Sequence, residues 1–284
     1  MKKFAGLGLA ILIFIAAVHA YRWPVPEAAV RSGFATHPRQ SFLRGLEYDN
    51  QGGRVQAVAD GELLFYGNAT ALPGGFPVPD GSLLVVAHRQ ELLSVYTGLQ
   101  LTPLEGLDAV IFEGDELGTG EPSSATVLPG FFFYDRQAAQ YVNPLALLPL
   151  PADNRPPQLR SIQLRSGSLT IPVEQARNIA QGSYAVLIEA VDASPLAANL
   201  APFSIQLLIN GNEVQRYQYD AVRVTAAGLE LASSPNQQNS PLFSADGRID
   251  LGTYLLASGT NVINLVLRDF NNNRLERSWT ITVQ

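Results

Sequence analysis

The chain has 284 residues, 46% of them hydrophobic, which is enough to bury one large core or two ordinary ones. Lys2 and Lys3 are the only lysines among its 19 Lys plus Arg; without them 17 arginines face 25 acids, a net charge of −8, which argues against a nucleic-acid partner and against a polybasic membrane contact. Cysteine is absent, which excludes disulfides and thiolate metal sites.

Residues 1–20 read as a secretory signal peptide. Lys2 and Lys3 form the basic start, Phe4 to Val18 is an apolar run, and Val18-His19-Ala20 supplies the cleavage region. The alternative is a permanent anchor, but the run is short for a span and Tyr21-Arg22-Trp23-Pro24 follows at once. No cysteine stands at the cleavage site, so a bacterial lipoprotein is excluded. The expected location is across the inner membrane, in the periplasm or cell envelope, with no stable membrane span after cleavage.

The next 130 residues predict strands. Val55 to Val58, a turn at Asp60-Gly61, and Glu62 to Tyr66 predict a hairpin. Leu83 to Ala87 and Leu92 to Tyr96 predict a second one. Apart from the signal, no long helical period stands out before residue 150. Residues 148–157 carry four prolines, which oppose helix and central strand, so 151–157 reads as a semi-rigid linker. A Pro-rich loop within one domain is the alternative.

Beyond it, Ser183 to Ala190 predicts a strand. Ser204 to Ile209 and Glu213 to Tyr217 flank an Asn210-Gly211 turn. Asn261 to Asp269 and Ser278 to Val283 flank Asn271-Asn272-Asn273. Short strands with turn signals fit an immunoglobulin-like β-sandwich over 158–284, although the cysteine pair and central tryptophan of antibody domains are absent. The expected fold class is all-β throughout.

The order of short motifs over residues 23–149 carries a resemblance. Trp23-Pro24-Val25 precedes Arg31-Ser32-Gly33-Phe34, and Leu43-Arg44-Gly45-Leu46-Glu47 follows. Gly52 to Gly61 has the form G-x-x-V-x-A-x-x-D-G. Then come Leu84 to His88 through Tyr96-Thr97-Gly98-Leu99, Glu113-Gly114-Asp115-Glu116-Leu117-Gly118, Gly130 to Asp135, and Val142-Asn143-Pro144. Residues 21–150 are thereby similar to the zinc endopeptidase domains of the lysostaphin/LytM type (the duplicated hybrid motif), which cut peptidoglycan. The resemblance implies an antiparallel β fold and a site of two imidazoles and one carboxylate on zinc, with an open position for water.

The family's chemistry does not carry over. Leu43 stands at the first ligand histidine, Glu47 at the ligand aspartate, and Phe133 at the second ligand histidine. Phe131 and Gly98 stand at the catalytic ones. His37, in a Thr-His-Pro loop, and His88, at a strand end, match positions that the family does not use as ligands. The zinc site is therefore expected to be lost, with no cofactor and no catalytic residue.

The resemblance also marks a groove that would be formed by Glu47, His88, Tyr96, Phe131, Phe133 and Asp135. Alternation points Phe131 and Phe133 to one face, either as core packing or as an aromatic recognition surface for a glycan or peptide. Residues 68–81, rich in Pro and Gly, are a candidate cover for that groove. Degenerate family members are known as amidase activators. The leading expectation is an inactive envelope pseudoenzyme that binds peptidoglycan, or that regulates a cell-wall hydrolase or an envelope assembly. The alternatives are an active zinc endopeptidase with an unorthodox site, and a structural protein-interaction module.

Overall fold

The computed structural model describes residues 21–36, 42–49, 52–68, 82–101, 110–120, 130–196, 200–226, 228–233 and 242–284. The signal segment, the His37 loop and residues 69–81 lie outside the described residues. The fold is all-β and antiparallel; the helical pieces among the described residues are three-residue 3-10 turns.

The first half contributes β1 (Val30–Ser32), β2 (Leu46–Tyr48), β3 (Arg54–Gln56), β4 (Gly61–Asn68), β5 (Ser82–Ala87) and β6 (Leu92–Thr97). It continues with β7 (Leu99–Leu101), β8 (Val110–Ile111), β9 (Glu116–Gly120), β10 (Gly130–Asp135) and β11 (Gln140–Val142). The second half contributes β12 (Gln158–Ser166), β13 (Leu169–Pro172), β14 (Gly182–Val191), β15 (Ser204–Ile209) and β16 (Asn212–Gln218). It ends with β17 (Ala221–Thr225), β18 (Gly228–Leu231), β19 (Ile249–Leu256), β20 (Gly259–Arg268) and β21 (Arg274–Val283).

Three expected hairpins form. β5 pairs with β6 from Leu83↔Thr97 to Ala87↔Leu93. β15 and β16 meet across Asn210-Gly211, both at positive φ (52° and 80°), as a tight right-twisted hairpin requires. β20 and β21 pair over their full length. In β15 the alternation buries Ile205, Leu207 and Ile209 and leaves the residues between them half-exposed.

The first expected hairpin does not form. β3 pairs with β9, and β4 pairs with β5 and β8, so the two lie in different sheets. The turn at residues 112–115 captures the intervening backbone: Ala57 N donates to Asp115 O, Gly114 N to Ala57 O, and Glu113 N to Asp60 Oδ1. Gly61 serves close packing and not a reversal. A Cβ there would stand 2.4 Å from Ala87 O and 2.6 Å from Val86 Cγ1.

The largest sheet runs β18-β17-β11-β10-β6-β5-β4-β8. β10 gives one edge to β6 and divides the other between β2, opposite Gly130 and Phe131, and β11, opposite Phe133 to Asp135. β3, β9 and β7 form a small sheet against it. The second half forms two four-stranded sheets, β13-β12-β14-β19 and β16-β15-β20-β21, which enclose one core.

The halves exchange parts. β17 pairs with β11 through Tyr141↔Val222 and Val142↔Ala221, so the second half extends the first half's sheet. Leu196 and Leu200 lie in the first core, and Phe34, Ala35 and Phe42 lie in the second. Asn143, 1% exposed, secures the crossing: its Nδ2 donates to Tyr219 O at 2.7 Å and its N to Asp220 O at 2.7 Å. The Pro-rich segment lacks strand and helix from Pro151 to Pro157. Side chains hold its first part: Trp23 Nε1 donates to Pro149 O, Asn271 Nδ2 to Pro151 O, and Asn273 Nδ2 to Asp153 O.

Candidate functional site

Five residues, Leu43, Glu47, Gly98, Phe131 and Phe133, are the ones that the resemblance sets at the zinc and catalytic positions. Leu43 closes a turn before β2, with its N donating to Thr36 O and its O accepting from Ala35 N. Glu47 lies on β2 opposite Gly130, and Leu46 lies opposite Phe131. Directly paired residues share a face and their neighbours alternate. Leu46, Phe131 and Phe133 therefore face one way, and Glu47 faces the other way with Phe132. Gly98 is buried after β6 at φ 69°, where its N donates to Ser82 O.

The face carrying Phe131 and Phe133 is interior. Phe131 is 1% exposed and Phe133 0%. Their rings meet edge-on at 4.9 Å, Tyr96 packs on Phe131 at 5.2 Å, and Tyr21 covers Phe133 at 5.0 Å and His88 at 5.6 Å. Edge-to-face contacts of this kind add to the burial of large rings.

A polar chain runs beside the rings. His88 Nδ1 lies 2.8 Å from Asp60 O, His88 Nε2 2.8 Å from Ser94 Oγ, and Ser94 Oγ 3.2 Å from Tyr96 Oη, which also accepts from Val58 N at 3.0 Å. A carbonyl only accepts, so Nδ1 carries the hydrogen, and in the neutral ring Nε2 accepts from Ser94. Tyr96 then donates to Ser94, and every group has a partner. Ser94 and His88 stand at the spacing of a nucleophile and its base. Ser94 is 0% exposed, however, and its oxygen is held between His88 and Tyr96, so no substrate carbonyl reaches it.

Burial holds the His88 imidazole below its ordinary value of 6.5; the hydrogen bond to the Asp60 backbone and the Asp60 charge oppose this less strongly. The unfolded chain thus takes up this proton first on acidification. The stability that neutral His88 contributes is complete above about pH 6.5 and is lost as pH falls through that value towards the folded-state pKa. Urea midpoints measured from about pH 7 to about pH 5 should fall more steeply for the native chain than for His88→Gln. Equal slopes would show that His88 does not titrate differently on folding.

Of the expected groove set, His88, Tyr96, Phe131 and Phe133 come together. Glu47 does not join them. Asp135 sits at the far end of β10, where its Oδ1 caps the turn into β11 by accepting from Ala138 N at 2.9 Å. His37 and residues 69–81 fall outside the described residues.

The opposite face of the same strand was not anticipated from the sequence. Phe132 and Tyr134 are half-buried there and flank Tyr141 of β11 at 5.4 and 5.1 Å. The Arg44 guanidinium lies 5.1 Å from the Tyr141 ring centre, within cation–π range. The signal was the alternation that pairs Phe131 with Phe133, read for the other two residues. Among the described residues, one group of three carboxylates, Asp153, Asp192 and Asp269, lies close enough to share a metal ion. It contains no imidazole and none of the family positions.

A protein-family model matches residues 156–284. No curated protein sequence matches the chain. Among solved structures, Csd3 of Helicobacter pylori is similar at 19% identity and a TM-score of 0.36, covering 46% of this chain and 33% of its own. A zinc-containing peptidase from Vibrio cholerae is similar at 19% identity and a TM-score of 0.35, covering 47% of this chain and 40% of its own. Lysostaphin aligns at 12% identity and a TM-score of 0.36 over 91% of both chains. This chain thus spans about a third to two fifths of the length of the first two.

Proposed function

We propose that this chain is a non-catalytic LytM-type protein of the bacterial envelope, which binds peptidoglycan or regulates a cell-wall hydrolase or an envelope assembly. One observation carries the reading. The ordered LytM motifs are kept, while the positions for imidazole are filled by Leu43, Gly98, Phe131 and Phe133, and the last two rings are sealed inside by Tyr96 and Tyr21. Leucine, glycine and phenylalanine offer no metal ligand, and Glu47 faces away from the rings. The second half is read as an immunoglobulin-like sandwich, supported by its two four-stranded sheets around one core.

The half-exposed row of Phe132, Tyr134 and Tyr141 with Arg44 is the surface on which such binding would act. Tyrosine offers a flat apolar ring with a polar tip, suited to a sugar face or a peptide. Dye-labelled sacculi incubated with the chain and added zinc test the reading. The expected result is protein in the pellet without dye release, and pelleting reduced about tenfold by Tyr134→Ala combined with Tyr141→Ala. Dye release abolished by a chelator would sink the non-catalytic reading. Neither pelleting nor release would exclude peptidoglycan and leave a protein partner as the target.

A further inference from the structure

Three aspartates from distant parts of the chain meet where its halves join. Asp153 comes from the Pro-rich segment, Asp192 follows β14, and Asp269 follows β20. One carboxylate oxygen from each lies within 4.8 Å of the others. Asp192 and Asp269 are 5% and 3% exposed, and the Asp153 side chain is 5% exposed.

Two of the three have donors. Asp269 accepts from Asn273 N and Nδ2, both at 2.7 Å. Asp153 Oδ1 accepts from Arg155 N at 3.0 Å and Nε at 3.2 Å. Asp192 Oδ1 is buried with no hydrogen-bond partner. A buried carboxylate oxygen without a donor calls for a partner from outside the chain. The Arg155 guanidinium, half-exposed beside Asp153, is a weak offset to three clustered carboxylates.

We propose that Asp153, Asp192 and Asp269 form a calcium site that clamps the Pro-rich segment to the ends of β14 and β20. The ligand set is all oxygen and carries no imidazole, which suits a hard cation. Calcium bonds oxygen at about 2.3–2.6 Å, so ligand oxygens up to about 5 Å apart can share one ion. It also accepts irregular geometry from separate segments, where magnesium demands a near-ideal octahedron. Backbone carbonyls and water would complete the shell. The site shares no residue with the positions at which the resembled family holds zinc, so it does not restore peptidase chemistry.

The test uses the purified full chain, stripped with chelator and desalted, titrated with calcium chloride by calorimetry and melted with calcium or magnesium chloride at equal ionic strength. We expect one calcium with a Kd of roughly 10⁻⁵–10⁻³ M and a Tm rise of about 5 °C at a hundredfold excess over that Kd. Asp192→Asn should weaken binding at least tenfold. Without calcium it should melt no lower than the native chain, because it removes repulsion. Asp153→Asn carries the same test should Asp192→Asn lose its native circular dichroism. No heat and no Tm change with calcium would overturn the proposal. Unchanged affinity in the variants, or an equal shift with magnesium chloride, would overturn it too.

Discussion

Phe133→His is expected to lower stability by about 3 kcal/mol or more and to leave the chain without zinc-dependent hydrolysis. The substitution returns an imidazole to the position where the resembled family has one. Phe133 is fully buried between Phe131 and Tyr21, and the only carboxylate at a family ligand position, Glu47, points to the other face of the sheet. The new ring would lose a well-packed aromatic contact and place a polar group among apolar neighbours. Phe133→Ala gives the reference, with a loss of about 3–5 kcal/mol from cavity formation. Urea denaturation measures both losses, and calorimetry with zinc measures any gained site. A Phe133→His chain as stable as the native one, or one that binds zinc tightly, would show that this face is an open site.

Residues 21–150 expressed alone are expected to show no cooperative unfolding transition. Cutting there removes β17, leaves β11 as a bare sheet edge, and takes Leu196 and Leu200 out of the first core. It also leaves buried Asn143 without Tyr219 O and Asp220 O. Each buried polar group left without its partner costs about 1–3 kcal/mol. Core loss adds to this against a total stability of about 5–15 kcal/mol. The complementary piece, residues 158–284, loses Phe34, Ala35 and Phe42 from its own core. A sigmoidal urea transition and a dispersed amide spectrum from the first fragment would refute the interlock.

The local grammar of the chain was legible where a turn and its two strands are contiguous. Asn210-Gly211 announced β15 and β16 because positive φ at both positions admits few residues. Leu83 to Ala87 and Leu92 to Tyr96 announced β5 and β6 by their apolar runs. Asp60-Gly61 misled because glycine answers two needs, positive φ and absence of a Cβ, and only the second applies here. The sequence reading named no strand at β17, and no local pattern reveals that its partner is β11, since pairing of distant strands leaves no short-range trace. At the candidate site, residue type alone shows that Leu43, Gly98, Phe131 and Phe133 are not histidines. The sealing of Phe131 and Phe133 by Tyr21, the separation of Glu47 from them, and the meeting of Asp153, Asp192 and Asp269 depend on register and on long-range closure.

The hydrogen bond from Asn143 to Tyr219 joins positions 76 apart and belongs to the crossing that completes the largest sheet. A chain delivered from its N-terminus presents β11 long before β17 exists. For that interval β10 and β11 are an unfinished edge beside exposed aromatic rings, the kind of surface that aggregates. Distant pairings also close slowly, because the intervening loop must lose its freedom first. The same interlock that rigidifies the finished molecule thus keeps its first half immature until most of the chain has arrived. Export of an unfolded chain, which the proposed envelope location requires, would be helped by that delay, since premature closure would block passage.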